Sequence, residues 1–316
     1  MVAVQKMKLD HMTEKGLAEV KSEIDALSKI HHRHLLSLLG FYLDDNERLL
    51  VYEFMPKGTL SEHLFGRGGV VVNPLDWITR LRISVDIAKG IDYLHSLATE
   101  SYIHRDLKPS NILLGDDLRA KLANFGLLRL APSGTSSATT RVIGTLGYID
   151  PEYHAEEKVS TKADVYSFGI ILMELITGLK ALDKSRSEES SLLAPWFQKI
   201  RLDKGKLVKV IDSTIAMNEE TLRSIQTVAL MAARCCNRNP KRRPDMSGVL
   251  DQLSLLLREP AKDAKDSHVV DIDMMGSFSN SRATATLGSL PERVTPRRNL
   301  LSLFQQPFWN TTPKSI

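Results

Sequence analysis

The chain has 316 residues, of which 42% are hydrophobic and 25% are charged, and its formal net charge is +4. This length is sufficient to bury a large core, and the composition is typical of a globular protein. The small net charge gives no reason to expect an obligate nucleic-acid or lipid partner. The only cysteines, Cys235 and Cys236, are adjacent, which disfavours an ordinary structural disulfide and indicates a reducing compartment.

No segment of the sequence has the pattern of a membrane-targeting element. The first ten residues lack the apolar core of a signal peptide. The most apolar segment, residues 168–176, is too short to span a bilayer and contains Glu174, so we expect a buried helix there. As written, the sequence predicts a cytoplasmic protein without a transmembrane segment.

The first 54 residues contain mainly strand signals. Residues 2–7 form a short strand-like run, and residues 35–43 and 48–54 flank the turn sequence DDNE as a β-hairpin would. Between these strands lie apolar residues at helical spacing, namely Leu17, Val20, Ile24 and Leu27. We therefore expect a small part of the protein built from three strands and one helix.

Longer helices are expected from about residue 60 onward. Thr59 and Glu62 match a capping box, and Asp76 precedes an apolar helical face that begins at Trp77. Another helix is expected to begin after Ser160 and to end at Gly178, and later helices are expected over residues 219–236 and 250–257.

Beyond Glu259 the composition shifts to Ser, Thr, Arg, Pro and Asn without sustained periodicity, which predicts a flexible tail. The sequence thus predicts an α+β protein with a small first lobe, a larger helical lobe and a tail. The expected ranges are 1–54, 55–259 and 260–316.

Three motifs carry the chemistry of the sequence: HRDLKPSN at 104–111, NFG at 124–126 and DPE at 150–152. Their order and spacing resemble those of a eukaryotic protein kinase over about residues 1–257. The stretches GTLGYIDPEY, LLVYEFMPKGTL and PKRRPDM resemble plant receptor-like kinases, and KSEIDALSKIHHRHLLSLLG narrows the resemblance to the transmembrane-kinase (TMK) type. The resemblance implies a bilobal protein kinase-like fold with a complete, mainly helical C-lobe.

The same resemblance implies roles for residues of the first motif. Asp106 matches the carboxylate that orients the acceptor hydroxyl, and Lys108 matches a residue that reaches the γ-phosphate and is typical of Ser/Thr-directed kinases. Asn111 matches an oxygen ligand of Mg²⁺. The implied cofactors are ATP and Mg²⁺.

Further positions match the family's nucleotide site. Glu53 and Met55 match the hinge that pairs with adenine, after Tyr52 as gatekeeper. Ala3 and Leu113 match residues that enclose the purine, although plain core packing explains them equally well.

Two residues depart from the family at this site. Gln5 stands where the family keeps the lysine that contacts the phosphates and pairs with a helix glutamate, here Glu23. The neighbouring Lys6 is expected to face the opposite side of the strand. Asn124 stands at the metal-binding aspartate position, where an amide offers one oxygen and no charge. The metal site formed by Asn111 and Asn124 is therefore expected to be weak.

The chain begins at the family's third strand, so an abbreviated N-lobe without the first two strands and the Gly-rich loop is expected. With Gln5 and Asn124, this favours a pseudokinase or truncated kinase that acts by binding. One alternative is a weakly active ATP/Mg²⁺-dependent Ser/Thr protein kinase, and another is an incomplete gene product.

Regulatory features are also implied by the resemblance. Thr140 and Thr145 match positions that such kinases phosphorylate, and Arg105 is suited to contact a phosphate there. Glu152 and Arg243 match a structural ion pair. Expected partners are other protein kinases or receptor complexes and protein substrates, with no nucleic acid, and the implied location is the cytoplasmic face of the plasma membrane.

Overall fold

The fold is described from a computed structural model. The described residues are 1–6, 14–44, 48–66, 69–71, 73–97, 101–130, 138–139, 142–156 and 158–258. The predicted tail, residues 260–316, and the phosphorylation candidate Thr140 lie outside these ranges.

The first part of the chain is a three-stranded antiparallel sheet with one helix. Its elements are β1 (Val2–Lys6), α1 (Glu14–Lys29), β2 (Leu38–Leu43) and β3 (Arg48–Glu53), and β3 is the central strand. The predicted strands, hairpin and helix are confirmed. The segment after α1 joins this part to the rest of the molecule, because Leu36 N donates to Leu122 O at 2.7 Å and Leu122 N donates to His34 O at 2.9 Å.

Two helices follow, each with the N-terminal cap that the sequence predicts. In α2 (Leu60–Phe65), Thr59 and Glu62 form both bonds of the capping box. In α3 (Trp77–Ser96), the side chain of Asp76 accepts a hydrogen bond from Thr79 N. The apolar face of α3 lies in the core, where Leu81, Ile87 and Ile91 are almost fully buried.

Short strands separate these helices from the helical remainder of the protein. They are β4 (Tyr102–Ile103), β5 (Ile112–Leu114), β6 (Ala120–Leu122), β7 (Arg129–Leu130), β8 (Ala138–Thr139) and β9 (Lys158–Val159), with α4 (Pro151–Glu156) before β9. β4 pairs with β7, β5 with β6, and β8 with β9. A 3₁₀ turn, Pro109–Asn111, leads directly into β5 and so places the first motif between β4 and β5.

The centre of the helical part is α5 (Thr161–Thr177), in which every residue from Ala163 to Thr177 is buried. A helix that is apolar on all sides is stable only when it is surrounded by other elements, and α5 packs against α3, α6 and α8. It begins at the Ser160 cap and ends at Gly178, whose φ of 65° is the left-handed conformation that glycine adopts readily. The predicted bounds of this helix and the buried position of Glu174 are confirmed.

The remaining helices are α6 (Leu193–Ile200), α7 (Lys204–Val210), α8 (Glu219–Cys235) and α9 (Met246–Arg258). α8 was predicted correctly to within one residue, whereas α9 begins four residues before the predicted start. α6 and α7 were not predicted, because helices of seven or eight residues show too little periodicity. Cys235 and Cys236 are buried free thiols.

Among the described residues, no helix is both long enough and apolar enough to cross a membrane.

Candidate functional site

The HRD part of the first motif is held in place by α5. The Asp164 carboxylate accepts hydrogen bonds from His104 N at 2.8 Å, from Arg105 N at 2.9 Å and from His95 Nε2 at 2.9 Å. Arg105 has a φ of 72°, a left-handed conformation that a non-glycine residue keeps only where its surroundings impose it. The contacts from Asp164 therefore determine the backbone direction at the start of residues 104–111, the predicted catalytic loop.

The carboxylate of Asp106 is the centre of a polar network. Lys108 Nζ lies 2.9 Å from Asp106 Oδ2, and Asn111 Nδ2 donates to the same oxygen at 2.8 Å. Asn111 Nδ2 also donates to Asp106 O at 2.8 Å, which closes the loop on itself. The three residues predicted to be catalytic are therefore brought together, and their catalytic role stays a prediction.

Thr145 is part of the same network. Its hydroxyl donates to Asp106 Oδ1 at 2.6 Å and accepts from Lys108 Nζ at 2.7 Å. The sequence predicts Thr145 as a phosphorylation site, but here its hydroxyl is already bound on both sides. A phosphoryl group can be attached only after Thr145 leaves Asp106 and Lys108.

Asn124 faces Asp106 with the amide group that an aspartate lacks. Its φ is 67°, and asparagine tolerates this left-handed conformation better than most residues. Asn124 Nδ2 donates to Asp106 Oδ2 at 3.3 Å. The amide thus hydrogen-bonds a carboxylate that an aspartate at the same position would repel.

The oxygen atoms that could coordinate Mg²⁺ at this site suit the ion poorly. Both oxygens of Asp106 already accept hydrogen bonds, and Asn111 and Asn124 contribute only neutral amides. Within the described ranges, no group of three or more His, Cys, Asp or Glu side chains is placed to hold a metal ion. Mg²⁺ prefers carboxylate oxygens, so these residues do not form a well-matched site for it.

Gln5 lies on the face of the sheet that is directed toward α1. In the register of β1 and β3, Ala3 is opposite Tyr52 and Gln5 is opposite Leu50, and both partners are buried. Lys6 is opposite Leu49, one residue along, and so points to the other face. The prediction that Lys6 does not replace the missing lysine is consistent with this register.

Glu23 is held by neutral donors. Its Oε1 accepts a hydrogen bond from the Tyr52 hydroxyl at 2.9 Å and from Phe125 N at 3.3 Å. Burial raises the pKa of Glu23, and these two hydrogen bonds offset the effect only in part. Burial and the adjacent carboxylate also raise the pKa of Tyr52, so its hydroxyl remains a donor.

This arrangement at Glu23 was not foreseen, because Tyr52 was interpreted only as the gatekeeper. A signal was present in the strand sequence VYEF, where residues of alternate parity face opposite sides and Tyr52 shares a face with Leu50. A tyrosine at a buried strand position requires a hydrogen-bond partner for its hydroxyl. Glu23, on the facing helix, is that partner.

The predicted purine-binding residues lie around the hinge. Ala3, Met55 and Leu113 are partly buried and pack against the core, so their positions fit both interpretations that the sequence allows. The Glu53 side chain bonds Lys121 Nζ at 2.7 and 2.8 Å and Ser37 N at 2.8 Å. Burial opposes ionisation of Glu53, but these donors hold its pKa below the usual value.

Arg105, predicted to bind phosphate, contacts an aromatic residue in this structure. Its Nη2 donates to the Tyr153 hydroxyl at 2.7 Å, and its guanidinium lies 5.9 Å from the centre of the Tyr153 ring. The Tyr153 hydroxyl also accepts from Ile143 N at 3.2 Å. Arg105 therefore ties the catalytic loop to the segment around the DPE motif.

One predicted ion pair is wrong. Arg243 forms a bidentate pair with Asp150 rather than with Glu152, and both partners are almost fully buried. A buried guanidinium requires a carboxylate with matching geometry, and Asp150 provides both oxygens. Asp150 also accepts a hydrogen bond from Glu152 N at 3.0 Å, so it stabilises the start of α4 as well.

Comparison with known proteins identifies the class. Residues 1–253 match the family described as protein tyrosine and serine/threonine kinase. Since the match covers most of the chain, the protein belongs to this family, in agreement with its α+β architecture and its assembled catalytic loop.

The curated relatives narrow the class to receptor-like kinases. The chain is 52% identical to Receptor-like kinase TMK2 and 48% identical to Receptor-like kinase TMK4, both of Arabidopsis thaliana, in each case over 86% of this chain. It is 46% identical over 87% of its length to Receptor protein kinase WSS1 of Oryza sativa subsp. japonica. The chain spans 31% of the first relative and 30% of the other two. The predicted resemblance to TMK-type kinases is confirmed.

Proposed function

We propose that this chain is a receptor-like protein kinase domain with impaired phosphotransfer, which takes part in phosphorylation-linked signalling by binding other proteins. One observation carries the proposal: two charged residues that the family uses at the nucleotide are replaced by the neutral amides Gln5 and Asn124, and neutral groups donate hydrogen bonds to Glu23 and to Asp106. Glu23 is bound by Tyr52, and Asp106 is contacted by Asn124.

The expected cost follows from the chemistry of phosphoryl transfer. The reaction depends on positioning and on neutralising charge around the phosphates. A contact to a charged group contributes about 1.5–3 kcal/mol. If the losses at Gln5 and Asn124 were additive, they would lower the rate on the order of 10²–10⁴-fold, although residues that act as a unit do not add simply.

The proposal does not depend on whether the family's first two strands and Gly-rich loop are present. The expected effects of Gln5 and Asn124 on phosphotransfer are the same whatever precedes Met1. We infer that the binding partners are other protein kinases, receptor complexes or their protein substrates, on the cytoplasmic face of the plasma membrane. The supporting observation is the similarity to Receptor-like kinase TMK2 and Receptor-like kinase TMK4.

A weakly active Ser/Thr protein kinase is the second candidate. The observation that favours it is the complete network of Asp106, Lys108, Asn111 and Thr145, which is the part that positions an acceptor hydroxyl. In this case ATP and Mg²⁺ would be used although the oxygen atoms available to coordinate Mg²⁺ suit it poorly.

The test compares three purified proteins in phosphotransfer from radiolabelled ATP: wild type, Gln5→Lys/Asn124→Asp, and Asp106→Asn. The proposal predicts that the double variant exceeds wild type by at least tenfold and that wild type equals Asp106→Asn. Wild-type transfer that Asp106→Asn abolishes, at a rate equal to that of the double variant, would support the active kinase instead.

A thermal-shift titration with ATP separates binding from turnover. A ligand that binds only the native state raises the apparent melting temperature. We expect a Mg²⁺-dependent shift in Gln5→Lys/Asn124→Asp and none in wild type. A Mg²⁺-dependent shift in wild type would mean that the nucleotide site still assembles and would favour the weakly active kinase.

A further inference from the structure

A strongly basic segment lies on the surface of the helical part, well separated in sequence from the catalytic motifs. Residues 199–209 contain five cationic residues and the single anion Asp203. The cationic residues are Lys199, Arg201, Lys204, Lys206 and Lys209. Whole-chain net charge is only +4, so the charge is unevenly distributed.

The structure keeps these cationic groups available to solvent. Lys199, Lys204, Lys206 and Lys209 are exposed, and within the described residues only Lys206 has an ion-pair partner, Asp203, at 3.5 Å. The Asp203 carboxylate is also engaged as the N-cap of α7, where it accepts from Lys206 N at 3.1 Å. The segment therefore has little internal neutralisation.

The end of α8 brings one further cationic residue near this segment. Gln198 Nε2 donates to Ala233 O at 3.0 Å, which joins the end of α6 to the end of α8. Arg201 is one helical turn after Gln198, and the exposed Arg234 follows Ala233 directly. We call the five cationic residues of 199–209 together with Arg234 the basic face.

Apolar side chains are exposed within the basic face. Leu202, in the turn between α6 and α7, is 71% exposed, and Val208 is 44% exposed. Leu207 is 1% exposed and anchors α7 to the core, so the exposure of Leu202 and Val208 does not reflect a loosely attached helix. An exposed leucine within a lysine-rich segment is a combination that fits the boundary between lipid headgroups and acyl chains.

Asp203 is the one acidic residue within residues 199–209, and the other acidic residues of the adjoining elements lie elsewhere. Glu219 and Glu220 are at the start of α8, at the opposite end of that helix from Arg234. Asp212 is occupied by Arg80, whose Nη2 lies 2.7 Å from Asp212 Oδ2. The field of the basic face is thus not cancelled by carboxylates on the helices that form it.

We propose that the basic face is a docking surface for an anionic lipid membrane, with Leu202 inserted between headgroups and the lysines contacting phosphate and carboxylate groups. Clusters of four to eight Lys and Arg residues are the pattern expected for binding to anionic headgroups. This surface acts without phosphotransfer and does not depend on the proposed impairment of the nucleotide site.

The test is sedimentation of the full chain with vesicles of phosphatidylcholine alone or mixed with phosphatidylserine. Wild type is expected to bind the anionic vesicles and not the neutral ones, and to be released as salt rises, because exposed charges are screened. Lys204→Gln/Lys206→Gln/Lys209→Gln is expected to bind about 100-fold more weakly, since each lysine near an anionic surface contributes about a fivefold factor.

A charge-matched control is available in Lys21→Gln/Lys57→Gln/Lys184→Gln, in which three exposed lysines outside the basic face are changed. It has the same net charge as the test variant, but its basic face is intact. It is therefore expected to bind as wild type does. Leu202→Ser leaves the charge unchanged and is expected to weaken binding several-fold, which separates insertion from simple charge attraction.

Equal binding by the test and control variants overturns the proposal, as does equal binding of wild type to neutral and anionic vesicles. Binding to soluble polyglutamate without binding to vesicles assigns the basic face to an acidic protein instead. Release from vesicles by inorganic phosphate at equal ionic strength assigns it to a free-phosphate site.

Discussion

Two buried glutamates in different parts of the protein have nearly the same surroundings. Glu23 on α1 accepts from the Tyr52 hydroxyl and Phe125 N, and Glu174 on α5 accepts from the Tyr148 hydroxyl at 2.7 Å and Ala181 N at 2.8 Å. Family resemblance predicts a charged pair for Glu23, whereas Glu174 belongs to the buried central helix. In both cases, the groups that donate these hydrogen bonds to the carboxyl group are neutral.

Asp164 shows what an ionised buried acid requires in the same protein. Burial opposes its ionisation, but His95 and the backbone N–H of Arg105 hold the pKa of Asp164 below its usual value. Glu23 and Glu174 have fewer and weaker donors, and burial raises the pKa of both. The number and charge of the donors, rather than burial alone, therefore distinguish these three acids.

The largest effect is expected for Asp164→Ala. The change leaves three donors around the catalytic loop without an acceptor and should lower the free energy of unfolding by about 3–5 kcal/mol, as measured by urea denaturation. Asp76→Ala, which removes an exposed helix cap, is the control and should cost about 1 kcal/mol. Similar losses of stability in the two variants would mean that Asp164 does not support the loop as an ionised side chain.

The second prediction concerns pH. Burial raises the pKa of Glu174 from 4.5 to about 8, so between these pH values the native state keeps a proton that the unfolded chain releases. Stability should therefore fall as pH rises through this window, by a few kcal/mol at roughly 1.4 kcal/mol per pKa unit.

Glu174→Gln cannot titrate and should have a flatter stability profile than wild type over the same window. The measurement is urea denaturation of both proteins at pH 5 and pH 8. A wild-type profile as flat as that of the variant would contradict a neutral Glu174.

A double-mutant cycle tests whether Tyr52 occupies the role of the missing lysine. Tyr52→Phe removes a hydrogen bond to buried Glu23 and should lower stability by about 1–2 kcal/mol. In a Gln5→Lys background the loss should be smaller, because the new ammonium group gives Glu23 a further partner, and a charged one. Hydrogen exchange of α1 should follow the same order, and additive effects would show that the two side chains act independently.

The smallest effect is expected for Glu23→Gln. A glutamine side chain has the same shape, can accept the same two hydrogen bonds at its Oε1 and carries no charge to bury, so stability at neutral pH should change by less than about 1 kcal/mol. Asp164→Asn is the matched comparison and should be several times more damaging, because the acid that it replaces is ionised. A large loss in Glu23→Gln would show that Glu23 is charged.

Much of the helical architecture was predictable because its signals are local. Thr59, Asp76 and Ser160 cap helices through bonds to residues two or three positions away, and Gly178 ends α5 through its own backbone conformation. The contacts between distant motifs were harder to predict from the sequence. Arg243 pairs with Asp150 rather than Glu152. This pairing depends on the geometry of the buried Arg243 and Asp150 side chains, which are 93 residues apart in the chain.

The sequence by itself determined the kinase class and the loss of two charged groups, because the identities at Gln5, Asp106 and Asn124 occur within motifs of fixed spacing. Only the tertiary structure decided what replaces the lost charges. The hydroxyl of Tyr52 and the amide of Asn124 reach Glu23 and Asp106 across the fold, 29 and 18 residues apart in the chain. Hydrogen bonding depends on distance and direction in space, and neither is encoded in any short stretch of sequence.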